Sequence, residues 1–207
     1  MDVFSIAFVC SGNRFRSPLA AAFVHRLTLG LPVRTESYGT LPVEDALPLP
    51  EAAEIAVCCG ISLADHRSRY LNKASLENLD LLLGFEPAHV RQAVVDAKAL
   101  RERSFTLADF VPLLPPARGT PPAGGEVVGR ARTLVADAGK RIADPTGHRS
   151  TSIRDPFGGP WKVYRQTAFE IRELTIALVE RLFGVTDVSG LPPVPTRLGR
   201  ARGILGR

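Results

Sequence analysis

The sequence predicts an α/β fold of three layers, with helices on both faces of a four-stranded parallel sheet and a short loop directly after the first strand. Three observations carry this. Two short apolar runs, Phe4–Cys10 (FSIAFVC) and Leu79–Phe85 (LDLLLGF), have the length and near-continuous hydrophobicity of strands buried on both faces. Segments of helical character alternate with them. Gly and Pro punctuate the junctions. Strands alternating with helices give a parallel sheet covered on both sides. In such sheets ligands bind beyond the carboxyl ends of strands, and Cys10 falls at that end of the first one.

In chain order, Phe4–Cys10 is the first strand and SGNRFRS a loop rich in turn residues. Pro18 fits the first turn of a helix, where its missing N–H costs nothing; that helix runs through Leu19–Leu29 to a stop at Gly30. Val33–Thr40, β-branched and alternating, is a second strand. Pro42–Pro50 is a loop, and Glu51–Cys59 a helix closed by Gly60. Leu79–Phe85 is the third strand, and Pro87 opens a helix to about Leu100. Ser104–Leu114 reads as a fourth strand with its connection, Pro115–Gly125 as a loop and Glu126–Ala143 as a helix. Asp144–Gly159 is polar and turn-rich, and Trp161–Phe183 is the clearest amphipathic helix. Beyond Gly184 the chain turns to Pro, Gly and Arg, a composition that predicts disorder. The expected organisation is one domain over residues 1–184 and a basic tail over 185–207.

At 207 residues and 45% hydrophobic, the chain can bury one substantial core. No apolar run approaches the roughly 20 residues that span a bilayer, and the N-terminus has no secretory pattern, so a cytoplasmic protein is expected. Three cysteines, Cys10, Cys58 and Cys59, match neither a disulfide framework nor a metal site, and no metal or cofactor is expected. The net charge of +5 comes largely from Arg197, Arg200, Arg202 and Arg207, set against Asp187 alone in the tail. Without an aromatic-interleaved basic patch, this reads as a solvated tail and not a nucleic-acid surface.

The chemistry concentrates in Cys10-Ser11-Gly12-Asn13-Arg14-Phe15-Arg16-Ser17-Pro18, with five residues between Cys10 and Arg16. A loop of that length between strand end and helix start can wrap its backbone N–H groups around one anion, and the helix N-terminus adds partial positive charge. Gly12 allows close approach, and Asn13 tolerates a positive φ. Arg16 can hold two phosphoryl oxygens with one guanidinium. The same field favours the thiolate form of Cys10, the nucleophilic one. Attack on phosphorus would give a phosphocysteine, with Arg16 and the loop amides neutralising the developing charge. The hydroxyl of Ser17 could donate to the departing thiolate.

VCSGNRFRSP resembles the signature of the low-molecular-weight protein tyrosine phosphatases, Cys-x-Gly-Asn-x-x-Arg-Ser after the first strand. That resemblance covers roughly Phe4–Gly184 and implies a phosphatase acting on phosphotyrosine proteins or small phosphomonoesters, releasing inorganic phosphate, without cofactor or membrane. It assigns Cys10 as nucleophile, Ser11 to Ser17 as phosphate-binding loop with Arg16 as clamp, and Asp155 of Asp155-Pro156-Phe157 as general acid and base. Ser37 and His66 correspond to residues that brace the loop through Asn13. Phe15 stands where many members carry a second cysteine. Arg14, Tyr38 and Phe157 are expected at or near the substrate pocket, with the Arg14 side chain expected to extend to solvent. His25, His89 and His148 sit in no motif, and Asp144-Pro145 is a second Asp-Pro of no assigned role. Three alternatives share the loop. They are an arsenate reductase, for which Cys58-Cys59 is a poor thiol relay, a protein-arginine phosphatase, and a non-catalytic phosphate-binding regulator.

Overall fold

The structure is a computed structural model that describes residues 2–117, 125–142 and 151–195. Strand β1 (Phe4–Cys10) leads into helix α1 (Arg16–Leu27), and β2 (Val33–Gly39) into α2 (Pro50–Cys58). Then follow β3 (Leu81–Gly84), α3 (Pro87–Asp96), β4 (Ser104–Thr106), α4 (Leu107–Leu113), α5 (Gly125–Ile142) and α6 (Trp161–Phe183). The four strands form one parallel sheet in the order β2-β1-β3-β4. The chain therefore winds outward from β1 in one direction to β2 and in the other to β3 and β4. The switch point lies at the carboxyl end of β1, where Cys10 stands and where such sheets bind ligands.

The pleat of β1 divides the core. Phe4, Ile6, Phe8 and Cys10 face a large apolar cluster shared with α1, α4, α5 and α6. Ala7 and Val9 face a smaller cluster with Leu82, Ala93 and Ala97, under α3. Every residue of β1 is buried, as its unbroken hydrophobicity requires.

Two expectations change. The Ser104–Leu114 stretch is only three residues of strand; the rest is α4, whose N-cap Thr106 Oγ1 accepts from the Asp109 amide at 3.2 Å. The chain also does not leave the fold after Gly184, whose φ of 75° ends α6. Leu191 is 1% exposed, and Val185, Val188 and Val194 pack on the large cluster. Arg172 donates to the carbonyls of Leu191 (2.5 Å) and Pro192 (3.0 Å), and Arg26 to that of Gly190 (3.1 Å). Apolar residues spaced through 185–194 give this segment a face to bury; residues 196–207, the rest of the expected tail, lie outside the described residues. Among the described residues no helix is long and apolar enough to cross a membrane.

Candidate active site

The register pairs Cys10, the last residue of β1, with Gly39, the last of β2. Glycine is required there: a Cβ on Gly39 would stand 2.8 Å from the Ser11 carbonyl oxygen and 3.0 Å from the Asn13 nitrogen. Past this point the chain after β2 stays bonded to the loop. Thr40 N–H donates to the Cys10 carbonyl, Leu41 N–H to that of Ser11 and Leu49 N–H to that of Arg14, each at 2.9 Å. Within Ser11–Ser17 no backbone N–H donates to any acceptor among the described residues. These amides end at the first turn of α1, the arrangement that binds anions.

Asn13 holds the turn. Its φ of 52° is the positive value expected from the sequence. Its buried amide Nδ2 donates to Ser17 Oγ (2.8 Å) and Ser37 Oγ (2.9 Å), and its Oδ1 accepts from the Arg69 amide (2.8 Å). The Asn13 carbonyl accepts from His66 Nε2 at 2.7 Å. Burial, aided by nearby Arg69 and Arg67 and opposed by that carbonyl, lowers the His66 pKa and keeps the ring neutral. Ser17 Oγ lies 3.0 Å from Cys10 Sγ, placed to give its hydrogen to a thiolate. Ser37, His66, Asn13 and Ser17 thus meet as one network behind Cys10.

Arg16 is 1% exposed, and all four of its terminal N–H groups are engaged. Nη1 donates to Glu86 Oε1 (2.6 Å) and the Ile153 carbonyl (3.1 Å); Nη2 donates to Ser11 Oγ (3.0 Å) and Asp155 Oδ2 (2.5 Å). The segment bearing Asp155 is drawn in because Ile153 also donates its N–H to the Phe85 carbonyl at the end of β3. Asp155 Oδ1 accepts from the Phe157 amide at 3.2 Å, closing the turn before α6. Cys10, Arg16 and Asp155 converge on one pocket, lined also by Ser11, Gly12, Arg14, Phe15, Leu41, Val43, Leu49 and Phe157. Asp144 lies outside the described residues.

Two side chains differ from expectation, Tyr38 and Arg14. Tyr38 is not in the pocket: the period of two along β2 turns it to the face opposite Ser37, into the smaller core cluster. There its hydroxyl donates to Glu36 and Arg69 stacks on its ring, 4.4 Å from the centroid. Burial first, then Glu36, pushes the phenol up to about 12. Arg14 is tied to the wall and not released to solvent, its Nε donating to the Leu47 carbonyl at 2.7 Å. Phe15 is buried edge-on against Tyr164, 5.1 Å between centroids. Phe157 does stand at the pocket mouth, 71% exposed.

Sequence reasoning missed Glu86 and His89. Burial alone would raise the Glu86 pKa, but the bond to Arg16 outweighs it and holds the carboxylate below its ordinary range. Burial first, then Arg16, pushes His89 down to about 4, against Glu86 and Asp155. The available signal was position: Glu86-Pro87 follows a predicted strand and opens a helix, at the same sheet end as Cys10. Among the described residues no group of three or more His, Cys, Asp or Glu is placed to hold a metal. Cys58 is exposed and Cys59 buried, and both are free thiols.

The model of the low molecular weight phosphotyrosine protein phosphatase family matches residues 5–116, more than half of the chain. The chain belongs to this family. It is similar to the protein-arginine-phosphatase of Bacillus subtilis (strain 168), 27% identical over 179 residues that cover 86% of this chain and 95% of that protein. The protein-arginine-phosphatase of Geobacillus stearothermophilus is 28% identical over 86% of this chain and 96% of its own length. The low molecular weight protein-tyrosine-phosphatase Etp of Escherichia coli (strain K12) is 29% identical over 52% of this chain and 71% of its own. Among solved structures, a mutant of YwlE from Bacillus subtilis superposes with a TM-score of 0.63 at 27% identity, covering 86% of this chain and 98% of that one. The low molecular weight protein tyrosine phosphatase of T. tengcongensis gives 0.62 at 26% identity, over 86% and 98%. As a low molecular weight phosphatase family member, the chain is a protein phosphatase.

Proposed function

We propose that this phosphatase hydrolyses phosphotyrosine in proteins through a phosphocysteine on Cys10. The observation that carries the reading is the convergence of three groups in one pocket: Cys10 Sγ 3.0 Å from Ser17 Oγ, the loop amides, and Arg16 bonded at 2.5 Å to Asp155. An entering dianion displaces Asp155 from Arg16 Nη2, which then holds a phosphoryl oxygen. Asp155, on leaving Arg16, takes a proton from water; the Cys10 thiolate attacks phosphorus, the phosphorus–oxygen bond to the substrate breaks, and Asp155 gives that proton to the departing oxygen. Water then attacks the phosphocysteine while Asp155 takes its proton. Inorganic phosphate leaves, and Ser17 stabilises the returning thiolate. The thiolate must stay reduced, which requires a reducing compartment.

Support for tyrosine comes from the walls. Leu41, Val43, Leu49, Phe15 and Phe157 offer apolar faces suited to an aryl ring. The cationic Arg14 on the same lining opposes a second guanidinium. Phosphoarginine is the second reading, favoured by two relatives named protein-arginine-phosphatases that align with 86% of the chain. A phosphopeptide panel decides between them, with Cys10→Ser as the control that abolishes turnover while vanadate still binds. Faster turnover of phosphoarginine than phosphotyrosine peptides overturns the tyrosine assignment; full activity in Cys10→Ser overturns the mechanism. Asp155→Ala should slow poor leaving groups more than good ones, since only the former need a proton.

A further inference from the structure

Ser11 directly follows Cys10 and lines the pocket beside Cys10, Arg16 and Asp155. Its oxygen has two neighbours. Arg16 Nη2 donates to it at 3.0 Å, and His89 Nε2 lies 3.1 Å away. The direction of the second bond is fixed on the far side of the imidazole. His89 Nδ1 is 3.1 Å from the backbone nitrogen of Glu86, which can only donate, so Nδ1 carries the lone pair and the proton sits on Nε2. Burial and Arg16 keep the ring neutral, with the pKa pushed down to about 4. Nε2–H therefore donates to Ser11 Oγ.

A serine oxygen has two lone pairs and one hydrogen. Here both lone pairs are filled by donors, so the hydrogen must be given elsewhere, and no described residue accepts it. In the other imidazole tautomer, Nε2 would accept the Ser11 hydrogen and draw it away from the pocket. The amide of Glu86, by choosing the tautomer, makes Ser11 a donor facing the site.

Resting on the phosphatase reading above, we propose that the Ser11 hydroxyl is a further catalytic donor to a phosphoryl oxygen, and that His89 is the positioning residue that aims it. This device is separate from the network of Asn13, Ser17, Ser37 and His66, which braces the loop from its opposite side. It adds a side-chain donor where negative charge grows on the phosphoryl oxygens in the transition state.

The test compares Ser11→Ala, Ser11→Thr, His89→Leu, His89→Gln and the double variant Ser11→Ala/His89→Leu. The readouts are p-nitrophenyl phosphate turnover and binding of vanadate and inorganic phosphate. Removing a well-aimed donor to an oxyanion costs on the order of a hundredfold or more in buried sites, and a half-exposed hydroxyl should cost about tenfold. Ser11→Ala should lower kcat about tenfold with little change in KM, and should weaken vanadate more than phosphate. Ser11→Thr, which keeps the hydroxyl, should recover most of this. His89→Leu should match Ser11→Ala, His89→Gln should recover part through its amide N–H, and the double variant should be no worse than Ser11→Ala alone. Losses that multiply in the double variant, or Ser11→Ala within about twofold of the parent, overturn the proposal. If His89→Leu fails to fold, the Ser11 pair still decides it. Absence of both turnover and vanadate binding in the parent chain sinks the phosphatase reading and this one together; a fully active Ser11→Ala in an active parent sinks only this one.

Discussion

Replacing Asn13 by alanine tests how the loop is held. The side chain is fully buried and makes three hydrogen bonds, at 2.8, 2.9 and 2.8 Å, to Ser17, Ser37 and the Arg69 amide. Each contributes about 1 kcal/mol net, so their loss costs about 3 kcal/mol. The φ of 52° adds about 1 kcal/mol, because a Cβ without a compensating polar group is disfavoured there. Asn13→Ala should therefore lose about 4 kcal/mol. At about 2–4 °C per kcal/mol for a domain of this size, its thermal midpoint should fall by about 8–16 °C. Asn13→Gly loses the same bonds without the backbone term and should be about 1 kcal/mol more stable than the alanine variant. Urea unfolding of the three proteins, with a common slope, measures both quantities. Asn13→Ala within about 1 kcal/mol of the parent would refute the network argument, and glycine no better than alanine would refute the backbone term.

Further outcomes follow from other features. The His89 pKa falls from about 6.5 in the unfolded chain to about 4 in the fold. The unfolded state thus binds the extra proton between those values, and stability present above pH 6.5 is lost as pH falls toward 4. The loss should reach about 3 kcal/mol, read by urea unfolding at pH 7, 5.5 and 4, and His89→Gln should flatten the profile. Gly39→Ala forces a methyl to 2.8 Å from the Ser11 carbonyl and should cost about 1–3 kcal/mol and weaken phosphate binding. In contrast, a Cβ on Gly12 meets nothing within 4 Å, so Gly12→Ala should keep the parent's unfolding midpoint. A chain ending at residue 184 should melt below one ending at 195, because it uncovers the Leu191 site and strips two carbonyls from Arg172. Equal midpoints would return the domain boundary to 184.

The placing of Cys10 and Arg16 together at the candidate site was legible because their signal is local. Cys10, Asn13 and Arg16 lie within seven residues, between a strand and a helix that each announce themselves. Helix α6 was legible for the same reason, its helical period running over Trp161–Phe183 through Tyr164, Ala168, Ile171, Leu178 and Leu182. Glu86 and His89 were not, since their partners Arg16 and Ser11 are 70 and 78 residues away and only the sheet order joins them. Tyr38 was misjudged by proximity: one residue from Ser37 along a strand is the opposite face of the sheet. Helix α4 was hidden by its β-forming residues and by Pro112, although Thr106 three residues before Asp109 is a capping pattern. The packed segment after Gly184 was obscured by its prolines, which break helices but do not prevent burial of Leu191.

The ties between the loop and residues 40–49 bear on how new specificities could arise on this scaffold. Arg14 alone is bonded twice, through its carbonyl to Leu49 and through its side chain to Leu47. The wall proposed to meet the organic part of a substrate and the floor proposed to meet its phosphorus are thus one hydrogen-bonded unit. A grafted wall from another member would arrive with foreign bonds to the floor. Retargeting should go further by single side-chain changes at Leu41, Val43 or Phe157, which leave that backbone seam untouched, than by exchange of the whole segment.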